Sequence, residues 1–306
     1  MNIIFSCDNN YAPYLATTIS SVLNNNKKQK IKFYILDLGI QESSRQIIQL
    51  LVNKFNCQIE FINISANDFV NLPKTIDYIS IATYARLKLA QYITDIKRAI
   101  YLDVDTLVND NLLPLWETDL QDKWVGACFD AFIEYDCPMY KQTIGLNDEQ
   151  KYFNAGVLLI DLEKWRTADI YGDAIQWLRQ YQDIIQYQDQ DILNGLFKDK
   201  VLYLNTRFNF MPTQRERLRR SKTNSKIMPN DFEIPVMPIA IYHYCGPHKA
   251  WHRECTHMKA SLYLKFFRKI PATPASWNNS FEHVDLRKKL SRLKQDLKDK
   301  YKHNIY

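Results

Sequence analysis

Short apolar runs alternate with helix-like patterns along the chain. "NIIFSC" (2–7), "IKFYILDL" (31–38), "QIEFINI" (58–64), "RAIYLDV" (98–104) and "WVGACFD" (124–130) have the length and the β-branched and aromatic content of strands. "GVLLID" (156–161), "VLYLN" (201–205) and "IAIYHY" (239–244) read the same way. Between the first two runs, "APYLATTISSVLNN" places Pro13 at an early helical position. "SSRQIIQLLVNKF" (43–55) and "IATYARLKLAQYI" (81–93) repeat their apolar residues at helical spacing. The alternation predicts an α/β fold with a mostly parallel central sheet and helices on both faces. "PTQRERLRRSKTNSKIMPND" (212–231) is polar, basic and bounded by prolines, which predicts a loop or short excursion, and "RKIPATPASWNN" (268–279) reads as a hinge. "DLRKKLSRLKQDLKDKYK" (285–302) predicts a basic helix with Leu286, Leu290, Leu293 and Leu297 on one stripe.

Composition narrows this picture. Hydrophobic residues make up 46% of 306, so a sizeable core is expected and disorder is not. No stretch approaches the apolar length of a membrane span. "MNIIFSCDNN" lacks the basic and apolar regions of a signal peptide, and six cysteines in so long a chain suggest reduced thiols, so a cytoplasmic location is expected. The net charge of +6 is uneven. Residues 260–306 hold eleven Lys/Arg against four acids, which leaves residues 1–259 close to neutral. A local excess of this kind suits an anionic surface.

The candidate chemistry lies at strand ends, where open α/β sheets bind ligands. "IIFSC" runs into Asp8, Asn9 and Asn10, "AIYLDV" into Asp103 and Asp105, and "VGACF" into Asp130. Alone, each acid is an ordinary loop residue; three together point to a site. In an extended segment residues i and i+2 face the same way, so Asp103 and Asp105 can grip one divalent cation bridging a diphosphate. Seven scattered glycines exclude G-x-G-x-x-G and P-loop cradles, leaving metal and side-chain cations to hold any phosphate.

"HYCGPHKAWHRECTH" (243–257) holds four of six histidines and two of six cysteines. Two readings are open. His243 is a third ligand beside Asp103 and Asp105, a donor set favouring Mn²⁺ over Mg²⁺, with Lys249 near the diphosphate. Alternatively His243, Cys245, His252 and Cys255 form a structural zinc site, although their spacing matches no usual knuckle. "YQDQDILNGLF" (187–197) starts a helix with Asp189, Gln190 and Asp191, and "YFNAGVLLID" (152–161) puts Asn154 and Ala155 before a buried strand. Arg86 lies in the otherwise apolar "TYARLKL" and pairs with a core acid or a ligand.

In this order, "DNNYAPYL", "TYARLKL", "YLDVDTLV", "YFNAGVLLID", "YQDQDILNGLF", "RFNFMPT" and "HYCGPHKAWHR" resemble glycosyltransferase family 8. They look most like its bacterial lipooligosaccharide α-1,4-galactosyltransferases. The resemblance implies a GT-A fold with a Rossmann-like nucleotide-binding half over residues 1–259, Mn²⁺ and UDP-galactose. It implies that Asp8, Asn10 and the backbone at Ile81–Ala82 meet uridine, and that Asp103, Asp105 and His243 ligate Mn²⁺. Gly246 and Lys249 then meet the phosphates. Arg86, Asp103, Asn154, Ala155, Asp189 and Gln190 surround the galactose, and Val104 is a further contact to the UDP-sugar. Tyr78, Phe132, Tyr187, Pro212, Thr213 and Cys245 frame the lipooligosaccharide acceptor.

Gln190, Asp189 and Asp130 are the implied catalytic groups of a retaining transfer. A double displacement needs a nucleophile, and the neutral Gln190 is a poor one, so front-side attack is favoured. The basic segment 260–306 is expected to attach a monomer to the cytoplasmic face of the inner membrane. Two competing readings are a UDP-glucose-dependent lipopolysaccharide glucosyltransferase and a zinc-stabilised module docking nucleic acid. The tail lacks interleaved aromatics for base stacking, which counts against nucleic acid.

Overall fold

The computed structural model describes residues 1–69, 72–73 and 81–303. Nine strands are present among them: β1 (Asn2–Cys7), β2 (Lys32–Asp37), β3 (Gln58–Asn63), β4 (Arg98–Leu102), β5 (Thr106–Val108), β6 (Val125–Phe129), β7 (Phe153–Asp161), β8 (Val201–Tyr203) and β9 (Ile241–His243). Seven form one sheet in the order β3-β2-β1-β4-β7-β6-β8. β7 alone runs against its neighbours, so the sheet is mostly parallel, as the alternation predicts. β1, β2 and β4 carry unbroken apolar runs because helices cover both their faces. β3 alternates between exposed and partly buried positions because it is an edge. β5 and β9 form a separate antiparallel pair that sets Thr106 opposite His243.

The helices are α1 (Ala12–Asn25), α2 (Glu42–Asn53), α3 (Leu89–Tyr92), α4 (Leu113–Trp116), α5 (Met139–Thr143), α6 (Leu162–Thr167), α7 (Ile170–Tyr181), α8 (Asp189–Phe197), α9 (Pro212–Ser221), α10 (Ala260–Phe267), α11 (Ala275–Asn278) and α12 (Leu286–His303). α1 keeps the expected bounds. Its Thr18 hydroxyl donates to the Val104 and Thr106 carbonyls at 2.7 and 2.9 Å, fixing the helix beneath the two aspartates.

Three expectations differ. Residues 81–93 wind mostly as a 3₁₀ helix, Ile81–Lys88, before the short α3. Three residues per turn set Thr83 and Arg86 on one side, where Thr83 meets Gln188 and Arg86 meets Asp189. Within 212–231, the first ten residues form α9, not a loop. Its buried positions are Gln214, Arg215 and Leu218, so partnered polar side chains hide the helical period. Residues 268–279 are no free hinge, because Ile270 and Trp277 join the core that contains α1.

Leu264, Phe267 and Phe281 pack on that same core, and Ala260, Tyr263 and Phe266 on the neighbouring one that holds Trp251. Tyr263 is buried and donates to the Val104 carbonyl at 2.9 Å. Tyr14 donates to the Ser280 carbonyl at 2.8 Å, and Phe281 packs against the core. α12 shows two faces. Leu286, Leu290, Leu293 and Leu297 are exposed, whereas Asp299 is fully buried against α9. No helix of the described residues is long and apolar enough to cross a membrane.

Candidate active site

The sheet order reverses between β1 and β4: β2 and β3 continue on one side, β4 and β7 on the other. A cavity of about 430 Å³ opens where β1 runs into Asp8 and β4 into Asp103. Its wall includes Asp8, Arg86, Asp103, Val104, Asp105, Asp130, Phe132, Asn154, Ala155, Tyr187, Asp189, Gln190, Pro212, Thr213, His243, Cys245, Gly246 and Lys249. Asn10 is exposed and stands outside this wall. Ile81 and Ala82 open the 3₁₀ helix, and Tyr78 lies outside the described residues.

The two aspartates converge through a turn, not through an extended strand. β4 ends at Leu102, and the Thr106 hydroxyl donates back to the Asp103 carbonyl at 2.8 Å. The Asp103 N–H is tied to the Gly156 carbonyl at 2.8 Å, and the Asp105 carbonyl accepts from Tyr244 N–H at 2.9 Å. The β5–β9 pairing then brings His243 beside them. Its Nε2 lies 3.2 Å from Asp105 Oδ1 and 3.9 Å from Asp103 Oδ2.

The orientation of the His243 ring follows from a chain of amides. Asn154 Oδ1 accepts from Gly156 N–H at 3.0 Å and from Asn209 Nδ2 at 2.9 Å. Asn209 Oδ1 must then accept from His243 Nδ1 at 2.9 Å, which turns Nε2 toward the carboxylates. Among the described residues, Asp103, Asp105 and His243 are the one His/Cys/Asp/Glu group whose donor atoms lie within 4.8 Å of one another. A Cβ on Gly156 would overlap the His243 ring and come within 2.8 Å of Asp103 Oδ2. The space is kept clear by a bare backbone, and the oxygen and nitrogen donors fit a divalent cation.

The alternative zinc set does not form among the described residues. His252 bonds within its own loop, to Lys249 N–H and toward the Pro247 carbonyl, while Cys255 is buried in a separate hydrophobic cluster.

Lys249 Nζ lies 2.6 Å from Asp105 Oδ2. Burial alone would raise the Asp105 pKa; Lys249 and then His243 reverse this and hold the carboxyl far below its usual range. Deeper in the cavity, Arg86 Nε lies 2.7 Å from Asp189 Oδ2 and its Nη2 2.9 Å from Asp103 Oδ1. Burial pushes Asp189 up to about 6 even against the pull of Arg86.

Gln190 is held on three sides. Its Oε1 accepts from Ala155 N–H at 2.9 Å, and its Nε2 lies 3.4 Å from Asp130 Oδ2 and 3.3 Å from the Tyr152 hydroxyl. Asp191 anchors this corner. It accepts from Tyr140 and Tyr152 hydroxyls at 2.6 and 2.5 Å and from Tyr187 N–H at 2.8 Å. Asp8 Oδ1 caps the turn after β1 by accepting from Asn10 and Tyr11 N–H at 2.9 and 3.2 Å.

Sequence reasoning missed Asn209, Gly156 and Thr83. Asn209 had a signal, a polar residue between two phenylalanines in "RFNFMPT". Gly156 and Thr83 act through tertiary proximity and had none.

The profile of glycosyl transferase family 8 matches residues 2–255. A Haemophilus influenzae protein, named as a glycosyltransferase without a stated substrate, is 46% identical over 302 residues, 98% of this chain and 88% of its own length. The lipopolysaccharide 1,2-glucosyltransferase of Escherichia coli is 25% identical over 298 residues, 96% of this chain and 85% of its own. A crystal structure of the galactosyltransferase LgtC with donor and acceptor sugar analogues matches with a TM-score of 0.86 at 46% identity, covering 92% of this chain and 100% of that one. The chain therefore belongs to glycosyltransferase family 8 and is a hexosyltransferase of the GT-A fold.

Proposed function

We propose that the protein transfers galactose from UDP-galactose to the terminal galactose of a lactose-ended lipooligosaccharide, forming an α-1,4 linkage with retention. The observation that carries this reading is the convergence of Asp103, Asp105 and His243 beside the Arg86–Asp189–Asn154–Gln190 cluster in one cavity. One part suits a diphosphate, the other a sugar. The likeness to LgtC supports galactose as that sugar.

Asp103, Asp105 and His243 would hold Mn²⁺, which when bound neutralises charge on the departing diphosphate. Lys249 adds a cation beside the same group. Uridine lies toward Asp8, Asn10 and the backbone at Ile81–Ala82, with Gly246 at the phosphates. Arg86, Asn154, Ala155, Asp189 and Gln190 orient the galactose, and Val104 contacts the UDP-sugar.

The acceptor enters past Phe132, Tyr187, Pro212, Thr213 and Cys245, with Tyr78 as a further contact. The carboxylates nearest the sugar are already engaged: Asp189 by Arg86, and Asp130 by Phe132 N–H and Asn154. Gln190 is neutral. Front-side attack fits these groups best. The acceptor oxygen bonds to the anomeric carbon on the face that UDP leaves. Its proton passes to a phosphate oxygen of the departing UDP, and Gln190, Asp189 and Asp130 hold the oxocarbenium-like sugar.

The catalytic unit extends beyond residue 259 through Phe281, and the outer face of α12 attaches this unit to the cytoplasmic face of an anionic membrane. The deciding experiment is a donor screen with lactose as acceptor. UDP-galactose with Mn²⁺ should give a trisaccharide of retained configuration. Preferential use of UDP-glucose would overturn the donor assignment.

A further inference from the structure

A second cavity, of about 450 Å³, opens on the far side of Pro212 and Thr213. These two residues belong to the walls of both cavities. So does the 131–136 turn, which contributes Phe132 and Ile133 to the first and Ala131, Tyr135 and Asp136 to the second. The two cavities therefore adjoin along Pro212–Thr213.

The second cavity has the chemistry of a sugar site. Tyr135 is 38% exposed, and the Arg217 guanidinium stacks on its ring 3.2 Å from the centroid. Arg217 is itself fixed by the buried Glu233. Arg220 bridges Glu216 at 3.2 Å and Asp136 at 3.4 Å. Planar donors and carboxylate acceptors thus surround a partly exposed aromatic ring, already oriented by one another before any ligand arrives. The wall holds two arginines, Arg217 and Arg220, and two acids, Asp136 and Glu216, and Arg217 is paired besides with Glu233 behind it, so no positive excess exists to draw a phosphate or another anion. A neutral hexose, with hydroxyls that both donate and accept and with one apolar face, matches the wall.

We infer that this cavity is a subsite for the neutral sugar next after the lactose unit of the acceptor. The inference rests on the reading that Pro212 and Thr213 frame the acceptor. It makes the enzyme selective for oligosaccharides longer than a disaccharide.

The test compares free lactose with a synthetic tetrasaccharide ending in lactose, using the full chain, UDP-galactose and Mn²⁺. The tetrasaccharide should show a KM about tenfold below that of lactose. Tyr135→Ala and Arg220→Glu should each remove most of that advantage while leaving the lactose KM in place. Arg220 is half exposed, so its replacement gives a result even where Tyr135→Ala folds poorly. Equal KM values for the two acceptors in the wild type, or variants that raise both alike, would overturn the subsite alone. Refusal of both acceptors would overturn the functional reading and the subsite with it.

Discussion

The carboxylate of Asp299 is buried against the guanidinium of Arg215, 84 residues away in the chain. Arg215 Nε donates to it at 2.6 Å, and Arg219 Nε donates to its other oxygen at 2.6 Å. α12 is thus fastened to α9, whose first turn supplies Pro212 and Thr213 to the cavity wall. Removing the charge leaves two arginines facing a neutral amide, and breaking a buried pair of this kind costs about 3–5 kcal/mol. Asp299→Asn should lower the melting temperature by several degrees. It should raise the acceptor KM several-fold and leave UDP-galactose hydrolysis without acceptor unchanged. A fall in melting temperature with both activities intact would confine Asp299 to a structural role.

Gly156 lines the cavity, and its missing side chain makes room for the candidate metal ligands. The Cβ of an alanine would overlap His243 and crowd Asp103. His243 is buried and held by Asn209, so it has little room to yield. Gly156→Ala should weaken Mn²⁺ binding by about tenfold or more, in the range seen when ligand-orienting groups are lost. Calorimetric titration of Mn²⁺ reads this without any turnover. Unchanged Mn²⁺ affinity would remove His243 from the metal site.

Gln190 donates toward Asp130 and accepts from Ala155 at once. A glutamate keeps the second contact but places a carboxylate 3.4 Å from the Asp130 oxygen. Under front-side attack Gln190→Ala should retain measurable transfer, with kcat reduced about 10- to 100-fold. Gln190→Glu should be at least as slow. A glycosyl-enzyme trapped by mass spectrometry in Gln190→Glu, with Gln190→Ala inert, would favour double displacement instead.

The parallel core was legible because β1, β2 and β4 are buried on both faces and so read as apolar runs. The convergence of Asp103, Asp105 and His243 was legible because chemistry restricts the residue types of a candidate metal group, and these three stand out at strand ends. What stayed hidden is polar and tertiary. α9 carries Arg215 where a helical pattern wants leucine, and the partner that makes this stable, Asp299, is remote in sequence. The 3₁₀ winding of residues 81–88 follows from what Thr83 and Arg86 must reach, which no local period records. The Asp103–Asp105 turn looked extended because its flanks, β4 and β5, are strands.

His257 sets a pH limit on stability. It is buried among Phe210, Tyr242 and Tyr244, and its Nε2 donates to the Phe210 carbonyl at 2.9 Å. Burial first, and then Arg215, lower its pKa from 6.5 to about 3. The unfolded chain therefore binds a proton that the folded chain refuses between these values. The stabilisation is complete above 6.5 and is lost as pH falls towards 3. Its slope is about 1.4 kcal/mol per pH unit for one proton. His257→Gln keeps a donor but cannot titrate, so its unfolding free energy should fall less steeply from pH 6.5 to 4.5 than that of the wild type. Parallel slopes in denaturant melts across that range would exclude His257 as the acid-sensitive group.

The C-terminal boundary can be located by two truncations. A stop after residue 267 follows the hinge expected at 268–279, but it removes Ile270 and Trp277 from the main core, together with Phe281, whose ring centroid lies 4.2 Å from that of Phe267. Losing two or three such side chains costs several kcal/mol, comparable to the whole stability of many domains. That product should aggregate or melt well below the full chain. A stop after residue 283 keeps all of these contacts and deletes α12 alone. It leaves Arg215 and Arg219 without Asp299 and removes the exposed leucine stripe. This shorter protein should fold and hydrolyse UDP-galactose, show the raised acceptor KM of Asp299→Asn, and no longer sediment with anionic phospholipid vesicles. If the 267 product instead matched the full chain in melting temperature and hydrolysis, residues 268–281 would be a dispensable cover and not part of the catalytic unit.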